Sequence, residues 1–375
     1  MKHYRPSSGR GKAGMSREIG AEIMRDVTIH DDGMSHFGGI SACVTGPMGC
    51  GKTTFLLQLA QSVGSLTNGK SKENYTASTP LMPETVIWRG RQLDYWNTLT
   101  PNNWCKSFPQ TPLKRQVCVH VFENDDEKLR FFEDRIPSRE VVFDGNNLGY
   151  LTYSTASDLY SNLIKGGINV VYEPTVYYLQ TDIVEELVKR TLYDLRLKRL
   201  KKETKKKKKE EDADADPNIS LMHEGRDVQA PSGIFWYELL EELVKRKPQR
   251  EYVSIFIDEA HQVIPMTPPG EFWHLLAWFG NSMIDFRRKN ISIFFSTHDT
   301  KHLDYRVTER ILYYFWMPGS RTYPRVSMLD PPITRIIDKG EVIPELSNRK
   351  WGYSQFDAIP HQPPLIRVEG MPAST

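Results

Sequence analysis

The segment that most restricts this chain is Gly46-Pro47-Met48-Gly49-Cys50-Gly51-Lys52-Thr53, which matches G-x-x-x-x-G-K-[ST] in full. A β-prone run, Ile40-Ser41-Ala42-Cys43-Val44-Thr45, leads into it, and Phe55, Leu56, Leu59 and Val63 follow at helical spacing. Strand, glycine-rich loop and helix in that order form an anion trap. The glycines let backbone N–H groups converge on phosphates, and the helix start adds its positive dipole end. Residues Gly46 to Thr54 are therefore expected to bind a nucleotide. Lys52 would reach the β- and γ-oxygens, and the Thr53 hydroxyl would ligate Mg²⁺.

A second apolar strand, Tyr252 to Ile257, delivers Asp258 and Glu259 at its C-terminal end, where open α/β sheets place their ligands. The expected division of labour is Asp258 for the Mg²⁺ shell and Glu259 for orienting the attacking water, which points to ATP hydrolysis. Next, Phe272, Leu275, Leu276, Phe279, Met283 and Phe286 recur at helical spacing, and that helix ends at Arg287-Arg288-Lys289. A further strand, Ile291 to Phe295, carries Ser296-Thr297-His298-Asp299 at its end. His298 is either a sensor of the γ-phosphate or a structural histidine. Arg287 and Arg288 either reach a neighbouring subunit's nucleotide or complement the helix dipole; Arg306 and Arg310 are second candidates for that reach.

Around these motifs, Val117 to Phe122 reads as a half-buried strand, and Val141 to Asp144 and Ile168 to Tyr172 as further strands. Asp158 to Lys165, Asp182 to Arg199 and Ile234 to Lys245 read as helices, and Tyr313 to Trp316 as a core strand before a stacking platform. This alternation predicts an α/β fold, a RecA-like core with a mainly parallel sheet flanked by helices, plus insertions. Residues 1–38 read as a polar basic lead, a mobile terminus or a nucleic-acid arm, because Lys2, Arg5, Arg10, Lys12 and Arg17 have no acid among them. Residues 39–318 form the expected core, with inserts at about 64–115 and a solvated charged loop at about 198–230. Residues 319–375 read as an extension with a Pro-rich tail.

Composition narrows the class further. With 49 Lys and Arg against 47 Asp and Glu, the net charge of +2 gives no global polyanion-binding field, so any nucleic-acid contact must be local. The four cysteines, Cys43, Cys50, Cys105 and Cys118, lack zinc spacing and are too sparse for a disulfide scaffold, which favours a reducing intracellular setting. No apolar run approaches the roughly 20 residues of a membrane span.

A phosphate-binding loop, an apolar strand ending in Asp-Glu, an arginine before a strand ending in a Ser-Thr-polar triplet, and Asp304-x-Arg306-x-x-x-Arg310 before the next strand together resemble the FtsK/HerA superfamily of ring ATPases. The resemblance covers Gly39 to about Pro318 outside the inserts. It implies ATP and Mg²⁺ as cofactors, a homo-oligomeric and hexameric ring with ATP between subunits, and double-stranded DNA, or alternatively a protein, as the translocated partner. It also implies a cytoplasmic or virion-associated setting and a capsid or membrane-associated partner. Two departures stand out: His298 occupies a position that is usually Gln, and the loop-to-Asp258 spacing of about 200 residues exceeds what a bare core needs. Two other readings fit the same motifs. One is a non-motor ATP-dependent morphogenesis or switch protein similar to the zonular-occludens-toxin-like proteins. The other is a DEAH-type helicase from Asp258-Glu259-Ala260-His261, which then needs a second motor domain that the residues after His298 are too few to build.

Overall fold

The computed structural model describes residues 15–29, 38–66, 81–90, 115–134, 148–174, 235–248, 251–266, 273–347 and 349–356. The helices are α1 (Arg17–Thr28), α2 (Lys52–Ser62), α3 (Asp126–Glu133), α4 (Ala156–Asn162), α5 (Phe235–Arg246), α6 (Trp273–Arg288) and the single turn α7 (Tyr305–Thr308). The strands are β1 (Ser41–Thr45), β2 (Gly64–Leu66), β3 (Leu81–Pro83), β4 (Thr85–Gly90), β5 (Val117–Phe122), β6 (Leu148–Tyr153) and β7 (Ile168–Tyr172). They continue as β8 (Val253–Ile257), β9 (Ile291–Thr297), β10 (Tyr313–Trp316), β11 (Glu341–Leu346), β12 (Lys350–Trp351) and β13 (Ser354–Gln355).

Eleven strands form one sheet in the order β12-β11-β10-β1-β9-β8-β4-β7-β5-β6, with β13 also on β11, while β2 and β3 pair separately. From β10 through β6 every neighbour runs parallel, and β11 turns the edge antiparallel. The fold is therefore α/β with a mostly parallel sheet, as the strand–helix alternation predicts.

A parallel sheet needs both faces covered, and the side chains divide accordingly. Cys43, Ile255, Ile257, Ile293 and Phe295 point to one face, where α4, α5 and α6 supply Leu159, Leu240, Phe279 and Phe286. Ala42, Val44, Phe256 and Phe294 point to the other, under Ile23 and Val27 of α1, Phe55 and Leu59 of α2 and Phe132 of α3. The alternation within β1, β8 and β9 is the period-two geometry of a strand with two buried faces.

Four expectations need correction. Residues 17–28 are a helix, not part of a featureless lead: Ser16 Oγ caps it by accepting from Ile19 N at 3.2 Å, and Ile23 and Val27 bury against the sheet edge. The stretch at 64–115 is not wholly an insert, because β4 lies in the middle of the sheet between β8 and β7. The sheet does not end with the expected core at 318, because residues 341–355 of the expected extension contribute three strands to it. Finally, β5 is buried on both faces: Cys118 and His120 are sealed in, with His120 Nε2 2.9 Å from Asn169 Oδ1. The predicted strand at 141–144, the helix at 182–199 and the charged loop at 198–230 lie outside the described residues, and β6 is a strand that the sequence reading missed.

Candidate functional site

β1 lies between β9 and β10, and β9 separates it from the acid strand β8. The C-terminal ends of three adjacent parallel strands thus bring the glycine loop, Ser296-Thr297-His298 and Asp258-Glu259 to one edge. The loop is fastened to that edge by Gly46 N donating to Thr297 O at 3.3 Å. Gly49 and Gly51 take φ values of 77° and 101°, the left-handed region that a side chain strains to enter. Gly51 caps α2 without a side-chain bond, so the first N–H groups of the helix remain directed at the loop's hollow. Gly46 is glycine for a different reason. A Cβ there would lie 2.7 Å from Met317 Cβ and 2.8 Å from Cys50 Sγ.

Lys52 is buried, and its ammonium donates to Gly46 O at 2.8 Å and Pro47 O at 3.0 Å and lies 3.2 Å from His298 Nδ1. An ammonium only donates, so Nδ1 is the acceptor and the ring proton sits on Nε2. Nε2 in turn lies 3.2 Å from Glu259 Oε1. The line Lys52–His298–Glu259 therefore crosses β1, β9 and β8 through one imidazole. A Gln side chain would offer the same acceptor and donor on its carbonyl and N–H.

Asp258 is 2 % exposed, and Thr53 Oγ1 donates to its Oδ2 at 2.9 Å. Ser296 Oγ hydrogen-bonds Asp258 Oδ1 and accepts from Glu259 N at 3.1 Å. The hydroxyl of Thr53 and the carboxylate of Asp258 are hard oxygen donors facing each other, the ligand type that Mg²⁺ takes, so the pair fits the ion. Glu259 itself sits at φ 51°, ψ 53°, a conformation that costs a residue of this kind on the order of 1–3 kcal/mol. That backbone sends its carboxylate between two imidazoles, His298 on Oε1 and His261 Nδ1 at 3.3 Å from Oε2. His261 thus touches the second acid directly.

Met48 is 86 % exposed at the tip of the loop, whereas Cys50 and Thr54 are buried packing. Burial holds the Cys50 thiol above its ordinary value although Lys52 draws it down, so Cys50 is filler rather than nucleophile.

The candidate arginines do not join this cluster. Arg287 and Arg288 end α6 at the opposite edge, beside the start of β9, where Arg287 O accepts from Gly39 N at 3.0 Å. Arg288 is 77 % exposed and lies 3.7 Å from Asp285. Arg306 is held in a two-pronged contact with Asp304, at 2.9 and 2.7 Å. The carbonyl of Arg310 accepts from Ser41 Oγ at 2.7 Å, at the start of β1, also away from the loop.

One residue near the site gave no sequence signal. Arg89, at the end of β4, is 1 % exposed and donates to Asp258 O at 3.1 Å.

No family model and no curated protein matches the chain. Among solved structures it is similar to VirB4 of Thermoanaerobacter pseudethanolicus, at 11 % identity and TM-score 0.38, covering 86 % of this chain and 90 % of that one. It is similar to the genome packaging NTPase B204 of Sulfolobus turreted icosahedral virus 2, at 11 % identity and TM-score 0.32, covering 74 % and 98 %. It is also similar to the N-terminal domain of zonular occludens toxin from Neisseria meningitidis, at 10 % identity and TM-score 0.29, covering 86 % and 95 %. TM-scores this low carry none of the argument below. The chain has the fold and loop of a P-loop NTPase, and its own motif set resembles the FtsK/HerA superfamily.

Proposed function

We propose that this chain is a Mg²⁺-dependent ATPase that assembles into a ring and translocates double-stranded DNA, in genome packaging or DNA transfer. The observation that carries the hydrolytic part is the convergence of Lys52, Thr53, Asp258, Glu259 and His298 at the ends of β1, β8 and β9. A nucleotide-binding loop alone needs no second acid. Here Glu259 is held in an uncommon backbone conformation and tied through His298 to the phosphate lysine.

In this reading the loop N–H groups and Lys52 grip the phosphates of ATP. Lys52 then exchanges its contacts with Gly46 O, Pro47 O and His298 for phosphate oxygens. Thr53 and Asp258 would hold Mg²⁺, which would supply positive charge against the phosphates. Glu259 accepts a hydrogen bond from the attacking water and orients it, and His298 reports through its two nitrogens whether Lys52 is engaged. The ring and DNA parts rest on the motif resemblance and on the distance of Arg287 and Arg288 from their own loop.

Lys52→Ala is expected to abolish ATP binding, because nothing else neutralises those phosphates from within the loop. Glu259→Gln should bind ATP normally and lose turnover. Addition of double-stranded DNA should stimulate wild-type hydrolysis. Unchanged turnover in Glu259→Gln would remove that residue from the mechanism, and indifference to DNA would favour a nucleotide-dependent switch over a motor.

A further inference from the structure

Glu259 can act only if its backbone stays where it is. The peptide joining Asp258 to Glu259 is held from both sides. On one side its N–H donates to Ser296 Oγ and lies 3.1 Å from Asp258 Oδ1. On the other, its carbonyl accepts from Arg89 Nη1 at 3.1 Å. Arg89 belongs to β4, the strand beyond β8, and its guanidinium reaches across both of β4's neighbours. Towards β7 it meets Glu173 in a forked pair, Nε to Oε2 at 2.9 Å and Nη2 to Oε1 at 2.5 Å. Towards β8 it takes the Asp258 carbonyl, and Nη2 also reaches Gln262 Oε1 at 3.1 Å, in the turn that follows Glu259. Glu173 is fixed in turn by Trp236 Nε1 at 2.5 Å.

A buried ion pair is weak evidence of a stabilising role, since an apolar pair of similar volume is often as stable. What Arg89 offers that an apolar residue cannot is a planar fork, with one prong for the carboxylate and another for a backbone carbonyl. We propose that Arg89 is a positioning residue for hydrolysis: anchored on Glu173, it fixes the Asp258–Glu259 peptide plane and so aims the Glu259 carboxylate. The inference rests on the assignment of Glu259 to turnover.

Two variants test it. Arg89→Lys keeps a positive charge for Glu173 but loses the fork that reaches Asp258 O and Gln262 together. The double variant Arg89→Met/Glu173→Gln removes both charges at once and leaves an amide oxygen for Trp236. For each, kcat and KM for ATP, nucleotide affinity by equilibrium binding, and the urea midpoint are measured. Misplacing a catalytic group by about 1 Å costs about 100-fold, so kcat should fall by about that factor in both variants, while KM and nucleotide affinity stay within about 3-fold of wild type. Wild-type kcat in Arg89→Lys overturns the proposal, and so does an affinity that falls in step with kcat. If the double variant does not fold, Arg89→Lys alone decides. Glu259→Gln in the same assay separates this inference from the reading beneath it. Loss of turnover in Glu259→Gln with none in Arg89→Lys sinks only the positioning role, whereas full turnover in Glu259→Gln sinks both.

Discussion

Hydrolysis in this chain should require arginines from a second copy. β9 runs seven residues from Ile291 to Thr297, so Arg287 and Arg288 at its start lie roughly 20 Å from the loop at its end, well beyond the reach of an arginine side chain. Their effect on the chain's own nucleotide should therefore be nil. If they complete a neighbour's site, the double variant Arg287→Ala/Arg288→Ala should lose about 10³–10⁵ in rate, a barrier change of about 4–7 kcal/mol. Arg288 is the better placed of the two, because its exposed pairing with Asp285 holds by under about 1 kcal/mol and exchanges easily for phosphate. The decisive assay mixes this double variant with Lys52→Ala, each inactive alone. With random assembly of an equal mixture, about one interface in four pairs an intact loop with intact arginines, so about a quarter of wild-type turnover should return. Activity should also rise more steeply than linearly with protein concentration as oligomers form. A mixture that stays inactive while native mass spectrometry shows mixed oligomers refutes the trans assignment, and Arg306 and Arg310 become the next pair to test.

Three further outcomes are expected, two from the packing and one from the sequence. Gly20→Ala should destabilise the fold by about 1–3 kcal/mol in urea titrations and leave nucleotide affinity alone, because a Cβ there would sit 2.0 Å from the backbone oxygen of Tyr353. Burial lowers the His120 pKa to about 4, below the ordinary value of 6.5, so the unfolded chain binds its proton first. The stability this histidine allows is complete above about pH 6.5 and is lost as pH falls towards 4, by up to about 3 kcal/mol; His120→Gln, which does not titrate, should flatten that slope in denaturation midpoints measured across the window. Deletion of residues 200–216, which lie outside the described residues, should leave basal ATPase and the melting temperature unchanged, since a polyampholyte of this kind buries too little apolar area to offset its ordering entropy.

The parts of the site that could be read from sequence are those whose signal is local. The loop, the acid pair and the Ser296-Thr297-His298 triplet each sit within a few residues of the strand that presents them. Arg89 could not be read this way: its partners are Glu173 and Asp258, 84 and 169 residues away, and a cation after Thr85-Val86-Ile87-Trp88 looks like the end of a strand. The central place of β4 was hidden for the same reason, because its neighbours Val253 and Ile168 come long after it in the chain. α1 was legible in principle. Ser16 followed by Ile19, Ile23 and Val27 is a capped helix with apolar residues at helical spacing, but the charge of the surrounding segment drew the reading towards a loose arm. Val117, Val119 and Val121 gave the strand correctly, yet the intervening Cys118 and His120 suggested a wet face. Among the described residues, Asn169 of β7 is the hydrogen-bond partner of the buried imidazole's Nε2.

The place of β1 in the sheet also sets a schedule for synthesis. Both strands that flank the nucleotide loop's own strand, β9 and β10, leave the ribosome roughly 250 residues after it, which at translation rates of about 5–20 residues per second is on the order of 10–50 s. Until then Gly46 has no Thr297 carbonyl to hold it, Lys52 has no His298, and the apolar faces of β1 and α2 have no permanent cover. A nascent chain stalled between about residue 54 and residue 297 carries the whole glycine motif but not the Thr297 and His298 contacts that hold it. Such fragments should be inert towards ATP and attractive to chaperones, so the nucleotide site is completed in one late step rather than by degrees.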